Sequence, residues 1–417
     1  MEFGLFMELS VPRPWTADSE RQVYENALEQ VRLADELGFD YIWAVEHHFL
    51  EEYSHCSGPD IFLSAAATMT KRIRVGHGVV ACVPQYQRPI RVAERAAVLD
   101  IISGGRLELG TGRSATWPEL SGFGANPDDT KKTWDEFVRV IPKMWMQERF
   151  SWDGRMFSMP ERAILPKPLQ KPHPPMWVAV TSPGTEIDAA DRGLGCLGLS
   201  PGGFADSEKK VLNYRKHIET CDPVGAFVND KVLTVNFLSC CEDGDLGRRN
   251  GLKVASMFSY MAAQLLSAKE VLPTHSYPSE GLLPALRRES GSPGDAAKAF
   301  KGVTMGTPDD VADAITAWEN VGFDGINFIH QFMEVVPQQY VLDSMRLFAE
   351  EVMPRFKTRD GTSRRPVAVP VGAGAGVSAG ATAGAAATGA AAGAAAVTGA
   401  AAAGAAAAWA GAGAAAA

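Results

Sequence analysis

Three times along the chain a helical pattern ends on a glycine and runs straight into a short apolar stretch. Leu33-Ala-Asp-Glu-Leu-Gly-Phe-Asp-Tyr-Ile-Trp43 has a late counterpart in Ala317-Trp-Glu-Asn-Val-Gly-Phe-Asp-Gly-Ile-Asn-Phe328, and Ala189-Ala-Asp-Arg-Gly-Leu-Gly-Cys-Leu-Gly-Leu199 is a looser third copy. A glycine after a helix takes the left-handed conformation without a Cβ penalty, and the apolar run behind it suits a strand covered on both faces. Repeated units of this kind predict βα repeats and a parallel sheet. Candidate strands fall at 2–7, 41–45, 73–81, 106–110, 176–181, 196–199, 231–240 and 325–330, with helical patterns such as 20–37, 61–70, 90–102, 131–147, 207–220 and 308–321 between them. Thr307, Pro308, Asp309 and Asp310 form a helix-start signature at the last of these. Eight strands alternating with helices predict an α/β fold, a closed (β/α)8 TIM barrel. An open doubly wound sheet is the alternative, and no G-x-G-x-x-G follows the first strand to support it.

The barrel has to come from the first part of the chain. No charged residue occurs after Arg365, and 372–417 is almost entirely Ala and Gly. The expected division is a catalytic domain over 1–356 and a disordered, low-complexity tail over 357–417. Ala and Gly bring little transfer free energy, so the tail is not expected to enter a membrane. With 40 Lys and Arg against 49 Asp and Glu, and no basic run, the surface is not one that gathers phosphate backbones, and nucleic acid is not an expected partner. Six cysteines without C-x-x-C spacing suggest neither a disulfide framework nor a zinc site. The opening Met-Glu-Phe-Gly-Leu-Phe has no basic, then apolar, export pattern, so a cytoplasmic location is expected. The segments 113–130 and 267–301 exceed ordinary connections. They are candidate substrate loops, the second an insertion or lid before the last strand.

In a barrel the chemistry gathers at the carboxyl ends of the strands. Glu46-His47-His48-Phe49 stands immediately after the second candidate strand. Alternation lets only one of the two histidines face the lumen, which weakens a metal site and leaves His47 as a candidate for proton transfer near neutral pH. Thr111, Gly112 and Arg113 follow the strand at 106–110, where glycines let backbone approach a ligand and an arginine suits a phosphate or carboxylate. Thr181, Ser182 and Thr185 follow the next strand with hydroxyls and backbone N–H groups suited to an anion. Two such segments at neighbouring strand ends predict one phosphate held between them. Neither a nucleophile elbow nor a cysteine in an electropositive setting is visible.

These residues, with Gly38-Phe-Asp-Tyr-Ile-Trp, Val75-Gly-His-Gly, Arg88-Pro-Ile-Arg, Ser103-Gly-Gly-Arg, Gly110-Thr-Gly-Arg, Met305-Gly-Thr-Pro and Val352-Met-Pro, occur in an order that resembles the bacterial luciferase-like family of flavin-dependent monooxygenases. The resemblance runs from Met1 to about Phe356 and implies the same barrel. It implies that His47 serves the flavin 4a-hydroperoxide, with Glu46 orienting it. It places Arg113, Thr181, Ser182 and Thr185 on the FMN phosphate and Gly78-Val79 beside the flavin ring, where family members often carry a non-prolyl cis peptide. Gly112 stands where the alkanal-oxidising enzyme has a cysteine, and Leu199-Ser-Pro-Gly-Gly offers no tryptophan, so light emission and long-chain aldehydes are not implied.

The implied reaction takes reduced FMN from a separate flavin reductase, uses O2, and inserts one oxygen into a small organic substrate. A homodimer is implied as well. Two rival readings use the same barrel: a deazaflavin-dependent hydride-transfer oxidoreductase, and a non-catalytic flavin-binding protein.

Overall fold

Gly38, Gly193 and Gly322 adopt φ values of 87°, 66° and 101°, the left-handed conformation that frees a chain from a helix and aims it into a strand. The Gly38 N–H still reaches the Ala34 carbonyl, at 3.0 Å. The computed structural model describes residues 1–266 and 303–357, apart from 115, 183 and 200–203.

Within these residues the strands are β1 (Glu2–Met7), β2 (Tyr41–Ala44), β3 (Arg74–His77), β4 (Val80–Ala81), β5 (Leu107–Gly112), β6 (Phe150–Asp153), β7 (Ser158–Arg162), β8 (Met176–Val180), β9 (Gly195–Leu199), β10 (Val232–Cys240), β11 (Thr304–Gly306) and β12 (Gly325–Ile329). Eight of them, β1-β2-β3-β5-β8-β9-β10-β12, pair in parallel, and β12 returns to β1 with Glu2 opposite Gly325 and Leu5 opposite Phe328. The sheet is therefore the closed (β/α)8 barrel, not the open alternative. Its described helices are α1 (Ser19–Leu37), α2 (Pro59–Met69), α3 (Pro89–Ile102), α4 (Trp117–Gly122), α5 (Thr130–Met146), α6 (Thr185–Ala190), α7 (Phe204–Ile218), α8 (Gly244–Leu266), α9 (Pro308–Val321), α10 (Gln338–Leu347) and α11 (Met353–Phe356). Thr307 caps α9 by accepting from the Asp310 N–H, and the Asp310 carboxylate accepts from the Thr307 N–H in return.

The lumen is floored by aromatic rings. Trp43 and Trp177 meet edge to face, with centroids 5.6 Å apart, and Tyr41 lies 5.6 Å from Trp43. Small residues face them, because a Cβ on Gly76 would stand 2.4 Å from the Trp43 ring and one on Gly195 2.4 Å from the Trp177 ring. Beneath this layer the Trp177 Nε1–H donates to Glu108 Oε2 at 2.6 Å, and Lys231 Nζ donates to Glu2 Oε1 at 2.6 Å. These buried groups are thereby paired, whereas the Trp43 Nε1–H has no hydrogen-bond partner.

Three elements differ from expectation. The strand expected over 73–81 is broken into β3 and β4 by a cis Gly78-Val79 peptide. The segment 113–130 holds α4 and a 3-10 turn at Pro127–Asp129. Helix α8 has no counterpart among the expected helices. Its glycines serve close packing: a Cβ on Gly247 would lie 2.9 Å from the Gly306 carbonyl, and one on Gly251 2.8 Å from Met305 Cβ. The expected lid over 267–301 lies outside the described residues, as does the tail beyond Lys357. Among the described residues no helix is long and apolar enough to cross a membrane.

Candidate active site

Alternation along β1 sends Phe6 and then Glu8 toward the carboxyl end of the lumen, and alternation past β2 does the same for Val45 and His47. They open onto a cavity of about 240 Å3, whose wall also carries Glu46, Gly78, Val79, Arg113, Thr181, Ser182 and Thr185. All eight site residues expected from the sequence thus share one cavity. The second histidine of the pair, His48, turns aside onto the Phe123 ring, 5.0 Å away and perpendicular.

His47 is held from both sides. Its Nδ1 lies 3.1 Å from Glu119 Oε1, and its Nε2 lies 3.8 Å from Glu8 Oε2. Glu119 is almost fully buried and fully engaged. The His48 N–H donates to its Oε1 at 3.1 Å, the Ser114 hydroxyl donates to its Oε2 at 3.2 Å, and the Thr116 hydroxyl also donates to Oε2. Glu8 is buried too, but only the Tyr53 hydroxyl approaches its Oε1, at 3.5 Å, and Oε2 has no hydrogen-bond partner.

Burial opposes charge on His47, yet the neighbouring Glu119, Glu8 and Glu46 carboxylates outweigh it and raise its pKa to about 9. Burial is the main cause acting on Glu8 and raises its pKa to about 7 against the pull of His47. For Glu119 burial is outweighed by the imidazolium and the donors around it, and its pKa falls below the ordinary value. Near neutrality the imidazole is therefore a cation beside an ionised Glu119, and Glu8 exchanges its proton.

Glu46, expected to orient His47, hydrogen-bonds elsewhere. Its Oε2 accepts from the Ala81 N–H at 2.8 Å, and Gln87 Nε2 donates to both oxygens at 3.2 and 3.1 Å. That carboxylate ties β4 to the end of β2, and the group that hydrogen-bonds His47 is Glu119. The sequence carried a signal for Glu119, because Thr116-x-x-Glu119 has the spacing of a capping box. In the fold the glutamate accepts from the threonine hydroxyl and turns toward His47. Glu8 was marked only by a charge directly behind an apolar strand.

The same wall also carries cations and hydroxyls. Arg113 Nη1 lies 3.5 Å from Thr130 Oγ1, and Lys131 pairs with Asp188 at 2.6 Å. Thr181, Ser182 and Thr185 line the same wall, and the Thr185 N–H closes a turn on the Ser182 carbonyl at 3.2 Å. Part of the wall is backbone. A Cβ on Gly112 would meet Val79 Cγ2 at 2.5 Å, and one on Gly78 would meet Phe6 at 2.9 Å.

The luciferase-like monooxygenase family model matches residues 1–325. The oxygenase component of flavin-dependent trigonelline monooxygenase from Acinetobacter baylyi is 25% identical over 363 residues, 85% of this chain and 96% of that one. Among solved structures, monooxygenase RslO1 from Streptomyces bottropensis has a TM-score of 0.70 at 26% identity, covering 86% of this chain and 100% of that one. The oxygenating constituent of 3,6-diketocamphane monooxygenase from Pseudomonas putida, solved with FMN, shares the fold at a TM-score of 0.68 and 18% identity, over 85% and 98% of the two chains. The eight-stranded barrel, the cavity at its carboxyl end and a family match across most of the chain lead to one conclusion: this protein is an enzyme of the luciferase-like, flavin-dependent monooxygenase family.

Proposed function

We propose that the chain is the oxygenase of a two-component system, binding reduced FMN made by a separate flavin reductase and using O2 to oxygenate a small organic substrate. One observation carries this reading: a single cavity brings together Arg113, Lys131, several hydroxyls, a half-buried imidazole and the backbone of Gly78 and Gly112. Gly78 and Gly112, packed too closely for side chains of their own, bring bare backbone to the wall, against which a flat ring can lie. Arg113, Lys131, Ser182 and Thr185 would hold the phosphate, and Gly78, Val79 and Gly112 would lie along the isoalloxazine. When bound, reduced FMN supplies the electrons that activate dioxygen, so that one oxygen atom enters the substrate and the other leaves as water.

The chain's own part is positioning and proton control. Glu119 fixes the imidazole through Nδ1, and His47 presents a proton on Nε2 to the cavity. Phe6, Leu50, Leu197 and Val235 exclude water from the space beside it. The reductase finds support in the relative described as an oxygenase component, and in the lack of a dinucleotide fingerprint after β1. FMN is preferred to a deazaflavin because that relative is flavin-dependent. A homodimer is supported by an apolar face on neighbouring helices, with Ile61 of α2 and Val98, Ile101 and Ile102 of α3 all exposed.

Anaerobic titration with reduced FMN, followed by rapid mixing with oxygenated buffer, tests the proposal. Stoichiometric binding is expected, with flavin reoxidation slower than in free solution and accelerated in His47→Ala. Absence of binding, with tight binding of a reduced deazaflavin in the same assay, would transfer the reading to hydride transfer.

A further inference from the structure

Glu8 stands apart among the ionisable groups of the cavity wall. Its Oε2 has no hydrogen-bond partner, although the residue is only 5% exposed. A buried carboxylate oxygen left without a donor costs free energy unless something fills the place. Four groups face this carboxyl: His47, with Nε2 at 3.8 Å; the Tyr53 hydroxyl at 3.5 Å from Oε1; Glu119, across the imidazole; and the buried Cys56 thiol, which burial keeps neutral. Two carboxylates therefore share one imidazole, and with Glu8 ionised the trio carries a net negative charge.

The wall that Glu8 shares is largely apolar. Leu50, Leu197 and Val235 come from the barrel and its loops, and Phe258, Ala262 and Leu265 from α8. Arg113 and Lys131 line the same cavity, Arg113 against Thr130 and Lys131 paired with Asp188. An organic substrate seated beside His47 thus meets a largely apolar wall and one carboxylate oxygen in need of a donor.

Taking the cavity as the oxygenation site proposed above, we propose that Glu8 is the substrate anchor: the largely apolar wall selects a molecule that presents a cationic nitrogen to Glu8 Oε2, takes neutral donors more weakly, and rejects carboxylates. The desolvated carboxylate supplies the selectivity: Glu8 and Glu119 together outweigh the one imidazolium that faces them, so a second anion there would be repelled. The raised pKa of Glu8, about 7, makes this selectivity pH-dependent, stronger where Glu8 is ionised.

Three probes that share one ring and differ in charge test the assignment: benzylamine, benzyl alcohol and benzoate. Their dissociation constants are measured by anaerobic calorimetry on the full chain, with and without reduced FMN, at pH 6 and pH 8.5. Benzylamine is expected to bind about tenfold tighter than benzyl alcohol at the higher pH, the difference between a charged and a neutral hydrogen bond. Benzoate is expected to be weakest, and the preference for the amine is expected to shrink at pH 6. In Glu8→Gln, which keeps the side-chain volume, the preference should vanish while benzyl alcohol still binds. The wild-type pH dependence provides a second reading independent of how that variant folds.

Benzoate binding as tightly as benzylamine, an amine preference that survives Glu8→Gln, or no binding of the amine at either pH would each overturn the anchor. The same samples separate it from the flavin reading. FMN bound without the probe ranking refutes the anchor alone, and the probe ranking without FMN binding refutes the flavin reading alone.

Discussion

The Nδ1 of His47 and the Oε1 of Glu119 stand 3.1 Å apart, although 72 residues separate them in the chain. The histidine comes from the loop behind β2 and the glutamate from α4. Their pairing holds the imidazole as a cation whose second nitrogen faces the cavity.

Glu119→Gln keeps the shape of this contact and removes its charge. The His47 pKa, about 9 in the parent, should drop by about one to three units, the usual effect of losing an adjacent opposite charge. Nitrogen-detected NMR of the imidazole measures it directly. Glu119→Ala, which leaves the imidazolium beside an emptied buried site, should also cost about 3–5 kcal/mol of stability.

Stability should decline with rising pH across the neutral range. Glu8 moves from an ordinary value of 4.5 to about 7 on folding, and His47 from 6.5 to about 9. Both raised values mean that the folded chain binds protons more tightly. The Glu8 contribution is complete below its unfolded value and fades as pH passes 7; that of His47 is complete below 6.5 and fades as pH passes 9. Melting temperatures recorded from pH 5 to pH 9.5 should show the decline in two stages, and Glu8→Gln should remove the earlier one.

Arg113→Ala should weaken FMN binding by about 10- to 150-fold, the loss of a charge-assisted hydrogen bond to phosphate. Fluorescence quenching of the flavin measures this. Riboflavin, which lacks the phosphate, should bind parent and variant alike.

Gly76→Ala should destabilise the barrel by about 1–3 kcal/mol, because its Cβ would fall 2.4 Å from the Trp43 ring. Chemical denaturation measures the loss. Gly38→Ala meets open space but forces a side chain into φ 87°, and should cost about 1 kcal/mol through backbone strain alone.

Ile61→Asp combined with Ile101→Asp should turn a dimer into a monomer, read by analytical ultracentrifugation. Both residues are exposed, Ile61 at 80%, so the folded monomer should survive the change.

The barrel was legible because its repeating unit is local: helix, left-handed glycine and buried strand each leave a mark within a dozen residues or so. The cationic part of the cavity wall was legible for the same reason, since Arg113 and the Thr181–Thr185 segment lie directly behind strands. The partners of His47 were not. Glu119 reaches it from 72 residues away and Glu8 from the neighbouring strand, and no periodicity encodes which distant carboxylate meets a given imidazole. Glu46, next to it in sequence, was the natural expectation, and adjacency misled because successive side chains leave an extended chain on opposite sides.

The aromatic floor sets a rule of traffic. With Tyr41, Trp43 and Trp177 packed across the lumen below the cavity, a flavin and a substrate bound as proposed would share the doorway at the carboxyl end. The broad flavin ring would be seated before a smaller molecule settles beside His47, and product would leave before spent flavin is exchanged for fresh. Turnover in such a vessel would be a last-in, first-out sequence, enforced by a layer of indole and phenol rings far from any bond that is made or broken.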